Sequence, residues 1–577
     1  MTTDPALRVA CIGGGPGGLF AAVALAQRIP GARIDVFERN SADDVFGFGV
    51  VFSDATQENI DQIDPVLRNV LSSQGTHWDR IEVRARGERL SAGGNGMAAI
   101  HRRVLLEALR SRATGLGARL HFDTPVDVDD LASSGDYDLI VAADGANSIT
   151  RERYATDLGH QVDQAAVKFI WFGTTYPFEG LTFLHKQSEH GNFAVHAYPI
   201  GSDLSTFIVE TDEATWRTAG LDGFDTTVPP GPSDEITQRY LEVLFADEID
   251  GHRLVANNSR WANFRTRRTR NWHTDTSADV PVVFLGDAVH TAHFSVGSGT
   301  KMAMEDAGAL ADALAAHPGD ISAAISAYES KRRPEVAHIQ ESSLPSLSWW
   351  DHFGEYYRAF TPWQFGFHFF SRAISAAKIR RRDPEYIASV EQSWLDSYGT
   401  PPLDTPLSIG DVQFGTRLLG IEPVAQSGIL GENNPTEPSE GECIEILGLG
   451  DGVTTITASE SARPGGVALV NAPELTTTSL DAPTRNRLDV IGQQRPVAVV
   501  IRGGTALSRT LTAEHLRFAF GIPVIVVDSP AAIRSRRAVD EDDNAATMVL
   551  SGRADAVAYE PAVVTAASAT EFAEARR

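Results

Sequence analysis

Two histidines stand where a nucleotide-binding turn has no need of them. The stretch GDAVHTAHFSVGSGTK runs from Gly286 to Lys301, directly after the apolar run Val282-Val283-Phe284-Leu285. An apolar strand that ends in glycine and an acid belongs at the carboxyl edge of a parallel sheet, where ligands bind. Asp287 then offers a carboxylate to a sugar or ribityl hydroxyl. Gly297, Gly299 and Thr300 offer backbone N–H groups to a phosphate or a ring oxygen. His290 and His293 add a second chemistry, because an imidazole titrates near neutral pH and suits a general base.

Two further motifs agree with the first. Gly13-Gly14-Gly15-Pro16-Gly17-Gly18 is a GxGxxG after the run Arg8 to Ile12. Gly13 permits the tight turn, Gly15 lets backbone approach a pyrophosphate, and Gly18 lets the following helix pack closely. Glu38, 25 residues after Gly13 and followed by Arg39, is placed to accept from a ribose. Asp138 to Ala143 is another apolar run, and it ends in Asp144-Gly145. The first of these predicts dinucleotide binding, and the second is another strand end of the kind where ligands bind.

The elements needed to hold these residues are legible in outline. Arg8–Ile12 and Arg33–Glu38 read as strands, and Gly17–Arg28 as the helix between them. Val167 to Glu210 alternates short β-rich runs with turns, which predicts an antiparallel sheet. Met302–Ala316 and Ile321–Arg332 read as amphipathic helices, and Ser348 to Phe370 is crowded with aromatic residues. All nine Trp and all five Lys lie before Pro401, and the rest of the chain has one histidine, His515. That shift predicts a boundary near SYGTPPLDTP, with an α/β unit over 401–577. EDDN, Glu541 to Asn544, reads as a solvated loop.

Composition narrows the partners. A net charge of −26 argues against nucleic acid and anionic membrane. No apolar run is long enough to span a bilayer, and the N-terminus carries no secretory pattern, so a cytoplasmic protein is expected. Two cysteines make neither a disulfide framework nor a metal cluster, and no metal is expected. Against the acidic background, three basic clusters stand out: FRTRRTR (Phe264 to Arg270), KRRP (Lys331 to Pro334) and KIRRR (Lys378 to Arg382). Each suits an anionic small molecule or a dimer face, and a homodimer stays open.

GxGxxG, the Asp-Gly motif and the Gly-Asp motif, in this order, resemble the single-component FAD-dependent aromatic hydroxylases. The segments FERNSADDVFGFGVVFSDAT, HWDRIEV, FGTTYPFEGLTF and FIVETDEATWRTAGL are similar to the hydroxylases of aryl-CoA thioesters. These include the salicylyl-CoA 5-hydroxylases and the hydroxylase half of 2-aminobenzoyl-CoA monooxygenase/reductase. The resemblance runs from Arg8 to about Ser397. It implies an α/β fold: a Rossmann-like FAD-binding domain (about 1–75, 97–155 and 265–340) with an inserted β-sheet substrate domain (about 76–96 and 156–264). An aromatic helical segment, 341–400, would complete it. It also implies FAD as cofactor, NAD(P)H as reductant with NADH favoured, O₂ as co-substrate, and Arg102 against the FAD pyrophosphate. The wider family carries proline where this chain has His293-Phe294.

The chemistry implied is oxygen transfer from a C4a-hydroperoxyflavin to an aromatic ring, with salicylyl-CoA giving gentisyl-CoA. A phenol para to the attacked carbon pushes electrons best when deprotonated, so a base near pKa 7 helps. His293 is the first candidate, with His196 and Tyr198 of NFAVHAYP second. The CoA phosphates need arginines, for which Arg265, Arg267, Arg268, Arg380 and Arg381 are candidates. PPLDTPLSIGDVQFGTRL and MVLSGRADAVAYEP resemble the two ends of an old-yellow-enzyme barrel. The segment between is far short of the roughly 250 residues of a full (β/α)₈ barrel. A shortened, non-catalytic α/β domain is therefore expected over 401–577. The alternatives are 4-hydroxybenzoyl-CoA or 2-aminobenzoyl-CoA as substrate, a bifunctional monooxygenase/reductase, and a flavoprotein scaffold without turnover.

Overall fold

Three strands that the sequence marks by unbroken apolar runs form the centre of one sheet. In the computed structural model, Arg8–Ile12 lies between Arg33–Phe37 and Leu139–Ala142, all parallel, and Pro281–Phe284 pairs with Leu139–Ala142. Arg119–His121 and the antiparallel His273–Asp275 complete six strands. Val9, Ala10, Cys11, Leu139 to Ala142 and Val282 to Phe284 are buried, as strands covered on both faces must be. Helices Pro16–Arg28 and Gly299–Ala316 cover one part of this sheet. The structure describes residues 7–45, 47–226, 228–229, 231–423, 443–448, 454–460 and 464–559.

A second sheet holds Leu254–Ala256, His160–Thr174, Ser205–Thr211, Asn192–Pro199, Leu181–Gln187, Ile81–Ala85 and Glu88–Ala92 in that order, with Ala262–Thr269 also on His160–Thr174. Asn192–Pro199 and Ser205–Thr211 are buried along their whole length. Their alternation splits two environments. Val195, Ala197, Phe207 and Val209 join an apolar core. His196, Tyr198, Ile208 and Glu210 therefore face the opposite way. A short sheet of Gly49–Ser53, Met97–His101 and Thr76–Trp78 completes the strands of this unit.

The chain divides into two compact units, Met1–Gly354 and Glu355–Arg577. The boundary expected near residue 400 therefore falls inside the second unit. The physical reason is burial of helix Pro362–Phe370 on all sides: Phe365, Gly366, Phe367, His368 and Phe369 are all buried. The segment from this helix to Arg382 is tied to the later chain. Arg553 donates to the His368 carbonyl at 2.8 Å, and the Ala376 N–H donates to Thr547 Oγ1 at 2.9 Å.

The second unit closes seven described strands into a barrel: Leu418–Pro423, Cys443–Gly448, Thr455–Ser459, Val467–Asn471, Ala498–Arg502, Val524–Asp528 and Ala556–Tyr559. The first three pair antiparallel, and the other four join in parallel and return to Leu418–Pro423. Glu560 and Pro561, the end of the barrel-like closing motif, lie outside the described residues.

Two local expectations are corrected. EDDN opens helix Glu541–Leu550, with Asp540 accepting from the Asp543 N–H as cap. Acids at a helix N-terminus complement its dipole, which is why a charged run here is not a loop. The helix expected to end at Arg332 runs from Ile321 to Ala359, through Pro334 and Pro345. Interior prolines cost roughly 3 kcal/mol each. Burial of Trp349, Trp350 and Phe353 on the same helix offsets that cost.

Candidate active site

The glycine-rich turn is built by collisions that only glycine avoids. Gly13 has φ +108°, and a Cβ there would strike the Ala143 carbonyl; one on Gly18 would strike the Gly13 carbonyl. Gly15 is different: an added Cβ would meet nothing within 4 Å. That open space belongs to a cavity of about 540 Å³ lined by Gly13, Gly15, Pro16, Glu38, Arg39, Arg102, Asp144, Gly145, Gly286, Asp287, Gly299 and Thr300. The residues picked from the three motifs thus meet in one place, with Gly297 beside them in the turn before Gly299. The N-termini of helices Pro16–Arg28 and Gly299–Ala316 both open on the cavity, which favours phosphate there.

The acids of the cavity are held in different ways. Glu38 accepts from the Gly14 N–H at 2.8 Å and from Asn40 N–H at 2.9 Å. Asp144 accepts from Thr150 Oγ1 at 3.0 Å through one oxygen, while its other oxygen is buried without a hydrogen-bond partner among the described residues. Asp287 has its carboxyl pushed up by burial, against the pull of His290, Arg102 and Arg267. Burial likewise holds the Arg102 guanidinium below the usual arginine range. An open glycine face, two helix N-termini, an orphaned carboxylate oxygen and a buried arginine fit a dinucleotide with a pyrophosphate.

His290 belongs to the scaffold of this turn. Its Nε2 lies 2.7 Å from Asp306 Oδ2, which also accepts from the Gly286 N–H at 2.9 Å. Arg332 Nε donates to the other Asp306 oxygen at 2.8 Å. Burial pushes the Asp306 carboxyl up, but His290, Arg332 and the Gly286 N–H outweigh it and hold it below the usual range.

His293 meets His196 through a residue the sequence reading did not select. Glu210 Oε2 lies 2.7 Å from His196 Nε2, and Oε1 lies 3.5 Å from His293 Nε2. All three side chains are buried. The two histidines outweigh burial and hold the Glu210 carboxyl down at about 2. Phe294 packs against Phe169, Trp171, His196 and Phe264. Trp350 lies over His196 at 4.1 Å between ring centres. The one sequence signal for Glu210 was an acid directly after the apolar run Phe207-Ile208-Val209; a buried acid needs a partner. Among the described residues no group of three His, Cys, Asp or Glu is arranged to hold a metal ion.

Tyr198 is placed apart from this trio. Its hydroxyl donates to the Gly49 carbonyl at 3.2 Å beside Trp78, and burial pushes it up to about 12. The candidate arginines scatter. Arg267 is buried, with Asp287 and Glu152 in its field. Arg265 is exposed, and Arg268 pairs with Asp163. Arg380 and Arg381 are exposed on helix Ala376–Arg382 of the second unit, Arg380 paired with Glu391 at 2.5 Å. Among the described residues no helix is long and apolar enough to cross a membrane.

A family model described as an FAD binding domain matches residues 6–343, more than half of the chain. The chain belongs to the FAD-dependent aromatic monooxygenases. FAD is the monooxygenase's cofactor, and NAD(P)H is the reductant typical of the group. The monooxygenase is 48% identical over 556 residues to Salicyloyl-CoA 5-hydroxylase of Streptomyces sp, covering 96% of this chain and 99% of that one. It is 37% identical over 343 residues to 3-hydroxy-4-methyl-anthranilyl-[aryl-carrier protein] 5-monooxygenase of Streptosporangium sibiricum, covering 59% of this chain and 89% of the relative. It is 31% identical over 350 residues to Protodeoxyviolaceinate monooxygenase of Chromobacterium violaceum, covering 60% and 89%.

Proposed function

We propose that this monooxygenase hydroxylates the ring of an aryl-CoA thioester, converting salicylyl-CoA to gentisyl-CoA with NADH and O₂ in the cytoplasm. The observation that carries the reading is the correspondence, over nearly the whole of both chains, with a protein named Salicyloyl-CoA 5-hydroxylase. A second relative is named as a 5-monooxygenase of an anthranilyl group on an aryl-carrier protein.

FAD supplies the electrophilic oxygen when reduced and exposed to O₂. The chain's own residues do the rest. Gly15, Arg102, Asp144 and Asp287 hold the cofactor across the three strand ends. The aromatic wall of Phe294, Phe264 and Trp350 excludes water from the ring. His293 takes the phenolic proton, with His196 as its partner across Glu210. For the CoA phosphates, Arg268 and Arg333 bring two of the basic clusters onto one groove of about 620 Å³, with Thr269 and His273.

The barrel of the second unit is read as a shortened old-yellow-enzyme-like domain without its own reaction. Parallel barrels bind phosphate at the loops after their last strands. Here that end carries a carboxylate. Asp528 closes strand Val524–Asp528, buried, with Arg509 Nε at 3.0 Å and Asn544 Nδ2 at 2.9 Å. Asn544 also reaches the hydroxyl of Tyr559, which closes the final strand, at 2.8 Å. His515 pairs with Asp489 at 2.8 Å.

The deciding experiment is product identification by mass spectrometry after incubation with NADH, O₂ and a panel: salicylyl-CoA, 4-hydroxybenzoyl-CoA, 2-aminobenzoyl-CoA and free salicylate. Gentisyl-CoA from salicylyl-CoA, with little product from the free acid, is expected. Equal efficiency on acid and thioester removes the CoA reading. A dearomatised product points to the bifunctional alternative.

A further inference from the structure

Glu210 sits between two buried imidazoles, His196 and His293. A carboxylate only accepts hydrogen bonds, so His196 and His293 both present Nε2–H to it. That fixes the tautomer of His293: its lone pair is on Nδ1. The surroundings agree, because the Ser295 N–H donates to Nδ1 at 3.3 Å. Ser295 Oγ lies 2.8 Å from the same nitrogen and 3.4 Å from Ser346 Oγ. His293 is 3% exposed, whereas Ser295 is half-buried. A substrate hydroxyl therefore reaches the lone pair through the serine hydroxyl, not directly.

We propose that Ser295, His293, Glu210 and His196 form one proton-accepting unit, in which Glu210 is the positioning residue and Ser295 the contact with the substrate's phenol. The step balances without an outside reagent. The phenol O–H breaks and its proton passes to Ser295 Oγ. The serine hydroxyl hands its own proton to His293 Nδ1, giving an imidazolium that donates to Glu210 through Nε2. One phenolate and one imidazolium result, and no net charge enters the pocket. Without the carboxylate, the same transfer would leave a buried cation facing a neutral group, which is costly. A further titratable neighbour is His185, across Trp350 from His196; burial holds it down at about 3, so it stays neutral. The arrangement follows the logic by which a carboxylate fixes the tautomer of a catalytic imidazole and steadies its charged form.

The inference rests on the hydroxybenzoyl-CoA reading for the identity of the proton donor. Its test uses the FAD-loaded full chain with salicylyl-CoA and no reductant. Absorbance of the bound ring, followed across roughly pH 5 to 10, gives the ionisation of the bound phenol without turnover. Glu210→Gln is expected to raise the bound phenol's pKa by about one unit or more while FAD content stays at the wild-type level. It should lower kcat at pH 7 by about 10–100-fold with KM changed less than about threefold. Glu210→Asp should restore part of both effects, and Ser295→Ala should shift the phenol in the same direction. An FAD-loaded Glu210→Gln enzyme with an unshifted phenol overturns the proposal. If Glu210→Gln does not hold FAD, an unshifted phenol in both Ser295→Ala and His196→Gln overturns it. Wild-type enzyme that does not bind salicylyl-CoA removes the substrate reading and the proposal with it; wild-type turnover beside unaffected variants removes the proposal alone.

Discussion

His196 Nε2 and Glu210 Oε2 are 2.7 Å apart across two neighbouring strands whose register sets Ala194 opposite Glu210 and His196 opposite Ile208. They are diagonal neighbours on one face, within reach of long side chains. Because the histidines hold the Glu210 carboxyl at about 2, against 4.5 for an ordinary glutamate, the folded state gains from its ionisation. The sign follows from linkage: the contribution is complete above the ordinary carboxylate range and is lost as pH falls from about 4.5 towards 2. Urea unfolding of wild type and Glu210→Gln should differ most at neutral pH. The gap should close in acid; a gap that widens in acid contradicts the pairing.

Flavin retention should depend on the two ends of the cavity in different ways. Gly15→Val fills the open space above the turn and should yield colourless protein, because backbone approach to the pyrophosphate is blocked. Asp287→Ala removes one hydrogen bond to the cofactor and should weaken FAD binding about tenfold, for a loss of roughly 1.5 kcal/mol. Equilibrium dialysis with FAD separates the two outcomes.

Asp306→Asn should destabilise the first unit without touching the substrate pocket. It takes one of three carboxylates from the buried Arg332, which keeps Glu305 and Glu335, and takes the buried carboxylate partner from His290. Breaking a buried pair costs about 3–5 kcal/mol. Thermal unfolding followed by flavin fluorescence reports it. A variant as stable as wild type would show that His290 does not hold the turn.

Arg268→Ala and Arg333→Ala should raise KM for an aryl-CoA by about tenfold each, with KM for NADH unchanged. Steady-state kinetics with both substrates varied will decide. A rise in KM for NADH instead assigns the groove to the nicotinamide nucleotide.

The second unit should bring no second flavin. One FAD and no FMN per chain are expected on extraction. His515→Ala should leave hydroxylation intact and cost less than about 1 kcal/mol of stability, since its pair with Asp489 is partly exposed. Two flavins per chain, or a dearomatised product lost in His515→Ala, would make the barrel a working reductase.

The cofactor cavity was legible in the sequence because its requirements are local. Gly13, Gly15 and Gly18 are spaced by the geometry of a single turn, and Glu38 and Asp287 stand at strand ends that apolar runs announce. Each of those residues could be placed before any fold was known. The proton-handling cluster could not be read the same way. Glu210 and His293 share a contact only because one strand's register and a distant turn bring them to the same face, and a one-residue slip would send Glu210 into the apolar core. The Arg268–Arg333 groove likewise joins clusters far apart in the chain. The unit boundary at Gly354 was hidden for a related reason: prolines and composition mark a linker, but burial of Phe365, Phe367 and Phe369 decides which body a helix joins. Sequence determined what the first strand ends hold; long-range packing determined which side chains meet where the ring would lie, because contacts between distant segments leave no local pattern to read.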